Sequence, residues 1–201
     1  MKETPREHLS WSQLNLWEKS PAEYIQRYVY SENRTNPRME LGKAVAQMLE
    51  SDEVQENKDL EFFRIFVPKF PEKEYRIETV SNGIKLLGIL DGWDPEKLYC
   101  GEYKTGSCWT QKMADETGQL DFYALLLYLK YGIHPKDLRI TLFWLPTILD
   151  PLEGVKLNGE LKSFETRRTM RNVLEIAGRS MRAWKGIKKA CAEEYAALGI
   201  V

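Results

Sequence analysis

Two acidic residues and a lysine near the middle of the chain have the types and spacing for divalent-cation chemistry. Asp91 stands at the end of an apolar stretch expected to be a strand, and Glu102 and Lys104 lie two residues apart on the next expected strand. Side chains two apart on a strand share a face, so Asp91 and Glu102 converge if the two strands are neighbours. Paired carboxylates are costly without a cation between them. Mg²⁺ takes oxygen ligands of this kind, and the backbone carbonyl of Tyr103 is available as a third.

Lys104 would lie within reach of a water molecule on such a cation, where it could orient the water or hold a phosphate oxygen. This arrangement suits metal-assisted hydrolysis of a phosphodiester bond. The Glu-x-Lys spacing alone is uninformative, because it recurs at residues 56–58 and 160–162. Taken singly, Glu102 and Lys104 also fit an exposed cross-strand ion pair, which stabilises a protein little. The combination with Asp91 in a strand–turn–strand context favours the metal site.

Gln119 and Tyr123 follow the acidic residues and are four positions apart. Residues at this spacing lie on one face of a helix, so both side chains could point back at the predicted site. The alternative is a buried polar pair that satisfies backbone groups of a loop.

Strands and helices must alternate to position these residues. Strand-like runs predict strands over 62–67, 75–80, 84–90, 98–103 and 139–145, the last stopped by Pro146. Ser81-Asn82-Gly83 is a tight-turn signal, so the strands on either side of it should form an antiparallel hairpin. Helical spacing predicts helices over 10–28 (broken at Ser20-Pro21), 39–50, 113–131 and 163–199, with a loop over 147–162.

This order of elements predicts an α/β fold, with a mixed central sheet flanked by helices and a long C-terminal helix. We expect a single domain over residues 1–201, with its core over about 9–146 and a C-terminal basic helix over about 163–199.

The composition is that of a globular protein. Of 201 residues, 43% are hydrophobic and 29% charged, with a formal net charge of −1, which excludes disordered, collagen-like and uniformly basic proteins. Three cysteines without C-x2-C spacing indicate neither a structural zinc site nor a disulfide framework. The longest apolar run, 122–129, is far below the ~20 residues that span a bilayer. No signal peptide is visible, so we expect a cytoplasmic protein without a membrane partner.

Basic residues are concentrated near the C-terminus, where residues 167–189 hold eight of them and one acidic residue. Opposite an apolar helix stripe, such a face could follow the phosphates of a nucleic acid, and a solvated helix face is the alternative. The candidate nucleic-acid contacts are Arg167, Arg168, Arg171, Arg179, Arg182 and Lys185. Trp109 is a further candidate because aromatic rings stack on unpaired bases, although aromatic side chains more often pack in the core.

Six motifs between residues 9 and 128 resemble, in their order and spacing, those of RecB-like members of the PD-(D/E)XK nuclease superfamily. These members are related to the nuclease domains of recombination helicase-nucleases and to CRISPR-associated exonucleases. The motifs are Leu9-Ser10-Trp11-Ser12-Gln13-Leu14, Ser20-Pro21-Ala22-Glu23-Tyr24, Leu41-Gly42-Lys43-Ala44-Val45 with Leu49-Glu50, Gly88-x-x-Asp91, Glu102-Tyr103-Lys104-Thr105-Gly106 and Gln119-Leu120-x-x-Tyr123.

The resemblance implies a restriction-endonuclease-like fold and cleavage of DNA that depends on Mg²⁺ or Mn²⁺. It implies an exonuclease or end-processing role on single strands or duplex ends, with protein partners from a recombination, phage or CRISPR system. It also implies Asp91 and Glu102 as metal ligands and Lys104 as the catalytic lysine. Gln119 and Tyr123 would be supporting or DNA-contacting residues.

One departure from the family concerns a metal ligand. The family often has a histidine on the helix that contains Leu41-Gly42, and Ala46 occupies that place. Glu50, one turn further on, could partly substitute or be a plain surface glutamate. A second interpretation is therefore a catalytically weak or silent nuclease-fold subunit that binds DNA. A third is a small α/β protein whose acids form surface pairs only.

A second departure concerns iron–sulfur chemistry. Iron–sulfur members of the family carry a cysteine where Ser20 stands here, together with a cysteine cluster near the C-terminus. This chain has only Cys191 in its C-terminal part. We therefore expect no iron–sulfur cluster.

Overall fold

The structure is a computed structural model that describes residues 4–32, 36–51, 58–106, 108–152 and 154–199, apart from the side chain of Asp59. The helices in these ranges are α1 (Trp11–Lys19), α2 (Pro21–Tyr28), α3 (Pro37–Glu50), α4 (Lys58–Phe66), α5 (Gln111–Glu116), α6 (Gly118–Tyr131) and α7 (Met170–Ala197). The strands are β1 (Leu9–Ser10), β2 (Glu72–Ser81), β3 (Ile84–Asp94), β4 (Tyr99–Gly106), β5 (Arg139–Asp150), β6 (Gly154–Leu157) and β7 (Lys162–Thr166). No helix within the described ranges is long and apolar enough to cross a membrane.

The strands form a mixed sheet, as the sequence predicts. The predicted hairpin is confirmed, because β2 pairs antiparallel with β3 from the turn at Ser81 and Ile84 to Glu72 and Trp93. Since β2 occupies one edge of β3, the other edge is shared by β1, which pairs in parallel, and β4, which pairs antiparallel. β4 lies parallel to β5, and β5 pairs antiparallel with β7 and then with β6.

Two main apolar clusters pack the helices onto this sheet, and a third, small one of Ala114, Leu142 and Trp144 packs α5 against β5. The larger cluster joins α1, α2, α6 and α7 to β2 and β3, and it includes the fully buried Leu90, Phe122 and Leu126. The second main cluster joins α3 and α4 to β5 and β6 through residues such as Val45 and Phe63. The apolar run of α6 is buried almost all round, as its composition predicts.

Several predicted elements were wrong. Residues 62–66 of the predicted strand belong to helix α4 rather than to a strand. The buried side chains here are Phe63 and, directly after the helix, Val67, and these two are one helical turn apart. The helix predicted over 113–131 is interrupted by Thr117, whose backbone is extended, so that α5 and α6 are separate helices. The predicted break at Ser20-Pro21 is confirmed, since Ser20 is extended and caps α2.

The C-terminal third also differs from the prediction. β5 continues through Pro146 to Asp150, because Pro146 lies where β5 changes partner from β7 to β6, a place where a missing N–H is tolerated. The predicted loop over 147–162 contains β6. The long helix begins at Met170 rather than Ser163, because β7 pairs with β5 as far as Thr166 and a capping box at Thr169 starts the helix.

Close packing between β3 and β4 depends on a pair of glycines. Gly92 and Gly101 are register partners, and the ring of Phe70 covers both of them. A Cβ atom at Gly92 would lie 2.3 Å from the ring, and one at Gly101 would lie 2.4 Å from it. Both positions therefore require glycine, because the ring approaches the backbone so closely.

Candidate metal centre

The two predicted acidic residues meet where β3 changes partner from β1 to β4. The β3–β4 ladder ends at Gly92 and Gly101, and the next pair in the same register is Asp91 and Glu102. The Asp91 carboxylate accepts a hydrogen bond of 2.7 Å from the backbone N–H of Tyr103. Both acids line one cavity of about 310 Å³.

Glu102 is only 1% exposed, so the exposed ion pair considered from the sequence does not describe it. Its Oε1 atom lies 2.5 Å from Nζ of Lys104 and accepts a hydrogen bond of 2.7 Å from Nε2 of Gln119. Its Oε2 atom is buried and has no hydrogen-bond partner among the described residues. An unpaired buried carboxylate oxygen is costly, so this atom requires a partner that this part of the chain does not supply.

The charges of the two acids and of Lys104 depend on one another. Burial raises the pKa of Asp91 well above its usual range, and Glu102 raises it further, while Lys104 and the Tyr103 N–H act in the opposite direction. Burial lowers the pKa of Lys104, but Glu102 and Asp91 together outweigh burial and raise it. Lys104 is therefore a cation at neutral pH, while the two carboxylates repel each other across the cavity.

Gln119 and Tyr123 link α6 to both strands. Nε2 of Gln119 also donates a hydrogen bond of 2.8 Å to the Tyr123 hydroxyl. That hydroxyl in turn donates 2.7 Å to the backbone carbonyl of Ile89, which lies between the β1-paired and β4-paired parts of β3. Each of the two interpretations of this pair therefore describes one of its members. Tyr123 satisfies a backbone carbonyl, and Gln119 contacts Glu102 of the predicted site.

Helix α3 forms another wall of the cavity. Glu50, the predicted weak ligand, is exposed at the end of α3, and it lines the cavity together with Ala46, the residue that the sequence resemblance aligns with a histidine ligand. An alanine offers no ligand atom, so α3 presents the carboxylate of Glu50 to this space.

Glu74 is a fourth acidic residue at the cavity, and it was missed in the sequence analysis. Burial raises its pKa, and repulsion from Glu50 and then Glu102 adds to that increase. Its φ of 46° is left-handed, an uncommon conformation for a non-glycine residue within a strand. The hairpin register that pairs Lys73 with Gly92 and Tyr75 with Leu90 sets Glu74 opposite Asp91. Counting back from the Asn82-Gly83 turn would have located it.

The donor atoms around the cavity suit a hard divalent cation. They are carboxylate oxygens and the Tyr103 backbone carbonyl, which are ligands that Mg²⁺ and Mn²⁺ accept. In the described part of the chain, no three side chains of the metal-binding types form a complete metal site by themselves. Any cation held here would therefore keep several water ligands, as Mg²⁺ commonly does.

The predicted nucleic-acid contacts differ in their burial and in their partners. Arg167 and Arg168 precede α7, and Arg168 is only 1% exposed. The prediction that Arg168 contacts phosphate is wrong, because its side chain is enclosed by protein. Arg171 is paired with Glu175, and Arg179 with Glu18.

The remaining candidates differ in their exposure. Arg167 lies 3.6 Å from Glu165 in an exposed ion pair. Arg182 and Lys185 are exposed on α7. Trp109 is half-buried and packs against the cluster of Ala114, Leu142 and Trp144, which is the packing alternative considered for it.

Two solved structures resemble this chain over nearly its whole length. A candidate exonuclease from Eubacterium rectale matches with a TM-score of 0.57 and 13% identity, over 92% of this chain and 82% of that one. An alkaline exonuclease from Laribacter hongkongensis matches with a TM-score of 0.57 and 11% identity, over 97% of this chain and 95% of that one. No protein-family profile matches the sequence, and no curated protein matches it significantly. At these identities the matches show a shared fold, which confirms the predicted fold class.

Proposed function

We propose that this protein is a metal-dependent nuclease that hydrolyses phosphodiester bonds in DNA. The observation that carries the proposal is the buried Glu102, with an unpaired oxygen, a lysine in contact and a cavity lined by further carboxylates. The fold shared with two exonucleases supports the same conclusion. By analogy with them, we propose exonuclease or end-processing activity.

A divalent cation would be held by Asp91, Glu102 and the backbone carbonyl of Tyr103. Bound there, Mg²⁺ or Mn²⁺ would lower the pKa of a water molecule and offset the negative charge of a phosphodiester. Glu74 and Glu50 face the same cavity and would contact the hydrated cation from the side of β2 and α3. We assign them supporting rather than central roles, because both side chains are exposed.

Lys104 would act on water or on the substrate phosphate, and Gln119 would orient the carboxylate of Glu102. The Lys104 ammonium group borders the cavity, where it orients water or binds a phosphate oxygen. Gln119 donates to Oε1 of Glu102, which would leave Oε2 available to a cation. Tyr123 fixes the position of Gln119 and ties it to β3 through Ile89.

A cleavage assay tests the proposal. End-labelled single-stranded and duplex DNA would be incubated with the protein in Mg²⁺ or Mn²⁺, with and without EDTA. We expect cleavage that EDTA and Asp91→Asn both abolish. Glu160→Gln is the matched control, since Glu160 belongs to a second Glu-x-Lys segment that is exposed, and it should cleave normally. Cleavage that survives both EDTA and Asp91→Asn would refute the assignment.

A nuclease-fold subunit that binds DNA without cleaving it is the second candidate. The observation that favours it is Ala46, which contributes no ligand to the cavity. Under this alternative the protein binds DNA in a salt-dependent way and shows no turnover with either cation.

Arg182 and Lys185 are the residues that we propose as phosphate contacts, because they are exposed on α7. Substituting both with alanine should reduce the steepness with which DNA affinity falls with salt, by about one unit of slope per lost contact. Fluorescence anisotropy across a salt series measures this slope. An unchanged slope would exclude them from the interface.

A further inference from the structure

Arg168 is a buried arginine whose contacts converge on one joint of the fold. Its Nη2 atom donates 2.9 Å to the carbonyl of Ala114 and 3.3 Å to the carbonyl of Thr117. Its Nη1 atom donates 2.7 Å to Oγ1 of Thr166, and its Nε atom lies 2.5 Å from Oδ1 of Asp121. The guanidinium therefore holds the end of α5, the start of α6 and the end of β7 together.

Burying this ion pair is expensive, so added stability does not explain its presence. Burial lowers the pKa of Arg168, and it raises the pKa of Asp121 despite their mutual attraction. A buried pair of this kind is weak evidence for added stability, because desolvation offsets the attraction. The contacts of Arg168 indicate instead that the pair orders the segment between α5 and α6.

The part that it orders is the first turn of α6. The residue before this helix, Thr117, makes no side-chain cap to it, although helix starts commonly rely on such a cap. Arg168 holds the start of α6 instead, with one hydrogen bond to the Thr117 carbonyl and an ion pair to Asp121 in the first turn. Gln119, which donates to Glu102, lies between these two anchors.

We propose that Arg168 is a positioning residue for the metal centre and acts through Gln119. By fixing the start of α6 from two sides, it holds the Gln119 amide on Oε1 of Glu102. The inference rests on the proposed function for its effect on cleavage, while its structural part can be tested separately. Arg168 is not among the residues that line the cavity, and the partners of its hydrogen bonds and ion pair do not line it either, so we do not call it a catalytic residue.

The structural part is tested by the side-chain amide resonance of Gln119 in a ¹⁵N-labelled protein. The resonance is assigned by its loss in Gln119→Ala. Arg168→Lys keeps a cation near Asp121 but has no planar fork for two carbonyls at once, and we expect the resonance to move towards the position of a solvated glutamine. Arg171→Lys is the control, since Arg171 forms an exposed pair with Glu175, and it should leave the resonance in place.

The functional part is tested by a double-mutant cycle. Removing a partner that orients a metal ligand typically costs about 10- to 100-fold in activity or metal affinity, and we expect such a loss in Arg168→Lys and in Gln119→Ala. If Arg168 acts through Gln119, the double variant loses no more than Gln119→Ala alone. Multiplied losses in the double variant would mean that Arg168 has only a general structural role.

An unmoved Gln119 resonance in folded Arg168→Lys would overturn the proposal outright. If Arg168→Lys fails to fold, Asp121→Asn removes the charge on the other side of the pair and is measured in the same way. If the wild-type protein cleaves no DNA, the proposed function fails, but the resonance still decides whether Arg168 positions Gln119.

Discussion

Two Glu-x-Lys segments in this protein share a spacing and an ion pair but differ in their surroundings. Lys104 lies 2.5 Å from Glu102, with side-chain exposures of 28% and 2%. Lys162 lies 2.9 Å from Glu160, with exposures of 51% and 54%. Near the first pair, burial and neighbouring acids raise the pKa of Asp91, whereas the hydrogen bond from Lys162 lowers the pKa of Glu160. The properties of a Glu-x-Lys pair therefore depend on the strands and helices that bury it, because the same two residue types exposed to water form an ordinary surface ion pair.

The largest expected difference between the two segments is in catalysis. We expect Lys104→Ala to reduce the cleavage rate by on the order of 10³-fold, since several kcal/mol of charge stabilisation near the phosphate is lost. Lys162→Ala should cleave at the wild-type rate. Rates are measured with saturating DNA and Mn²⁺, and equal rates in the two variants would remove the distinction between the segments.

Divalent cations should stabilise the protein through the first segment alone. At a free concentration 100 times the Kd, a bound cation contributes about 2.7 kcal/mol to the free energy of unfolding. We expect Mn²⁺ to raise the thermal midpoint of the wild-type protein and of Glu160→Gln, and EDTA to reverse the increase. In Asp91→Asn the increase should be absent, and a full increase in that variant would place the cation elsewhere.

A smaller effect is expected from Glu74, which faces the first segment from β2. Glu74→Gln should weaken Mn²⁺ binding by about tenfold, as is typical when a group that supports a metal site is lost. Without a cation the thermal midpoint should not fall, because the substitution removes repulsion from Glu50 and Glu102. Calorimetric titration and thermal unfolding measure the two effects. Unchanged affinity would show that Glu74 does not contribute to the site.

The smallest expected effect is on cation affinity at Ala46. Ala46→His introduces the ligand type that RecB-like nucleases often have on the helix we align with α3, and Mn²⁺ binding should tighten if that alignment holds, since Ala46 lines the cavity. Gln47→His is the control, because Gln47 is an exposed neighbour on α3. Equal or weaker affinity in Ala46→His would count against this alignment.

Much of the site followed from local patterns in the sequence. Strand alternation placed Glu102 and Lys104 on one face, and the Asn82-Gly83 turn set the hairpin that carries Asp91. The same turn also fixes the hairpin register that sets Glu74 opposite Asp91. However, nothing in the charged segment Glu72-Lys73-Glu74 distinguishes Glu74 from an ordinary exposed strand residue. Its role depends on which element covers that face, and local sequence does not specify this.

Other features were decided by tertiary contacts. Phe62 to Val67 reads equally well as an apolar strand or as a short helix, and packing against α3 determines the outcome. A proline such as Pro146 ends a strand only where the sheet would need a backbone N–H at that position, which proline lacks. Charge and position alone would assign Arg168 to a basic helix face. Its ion pair with the partly buried Asp121, 47 residues earlier in the chain, depends on the tertiary fold and cannot be read from local sequence.

The glycine pair beneath Phe70 has a consequence for how proteins of this kind are searched and engineered. Gly92 and Gly101 carry no functional group, yet each stands next to one of the acids, since Gly92 follows Asp91 and Gly101 precedes Glu102. A methyl group at either would displace the aromatic floor and separate the strands that set the spacing of the two carboxylates. A search that considers only reactive side chains would not identify either glycine. Randomised libraries that vary these two positions should yield inactive clones even when every acid and the lysine are retained.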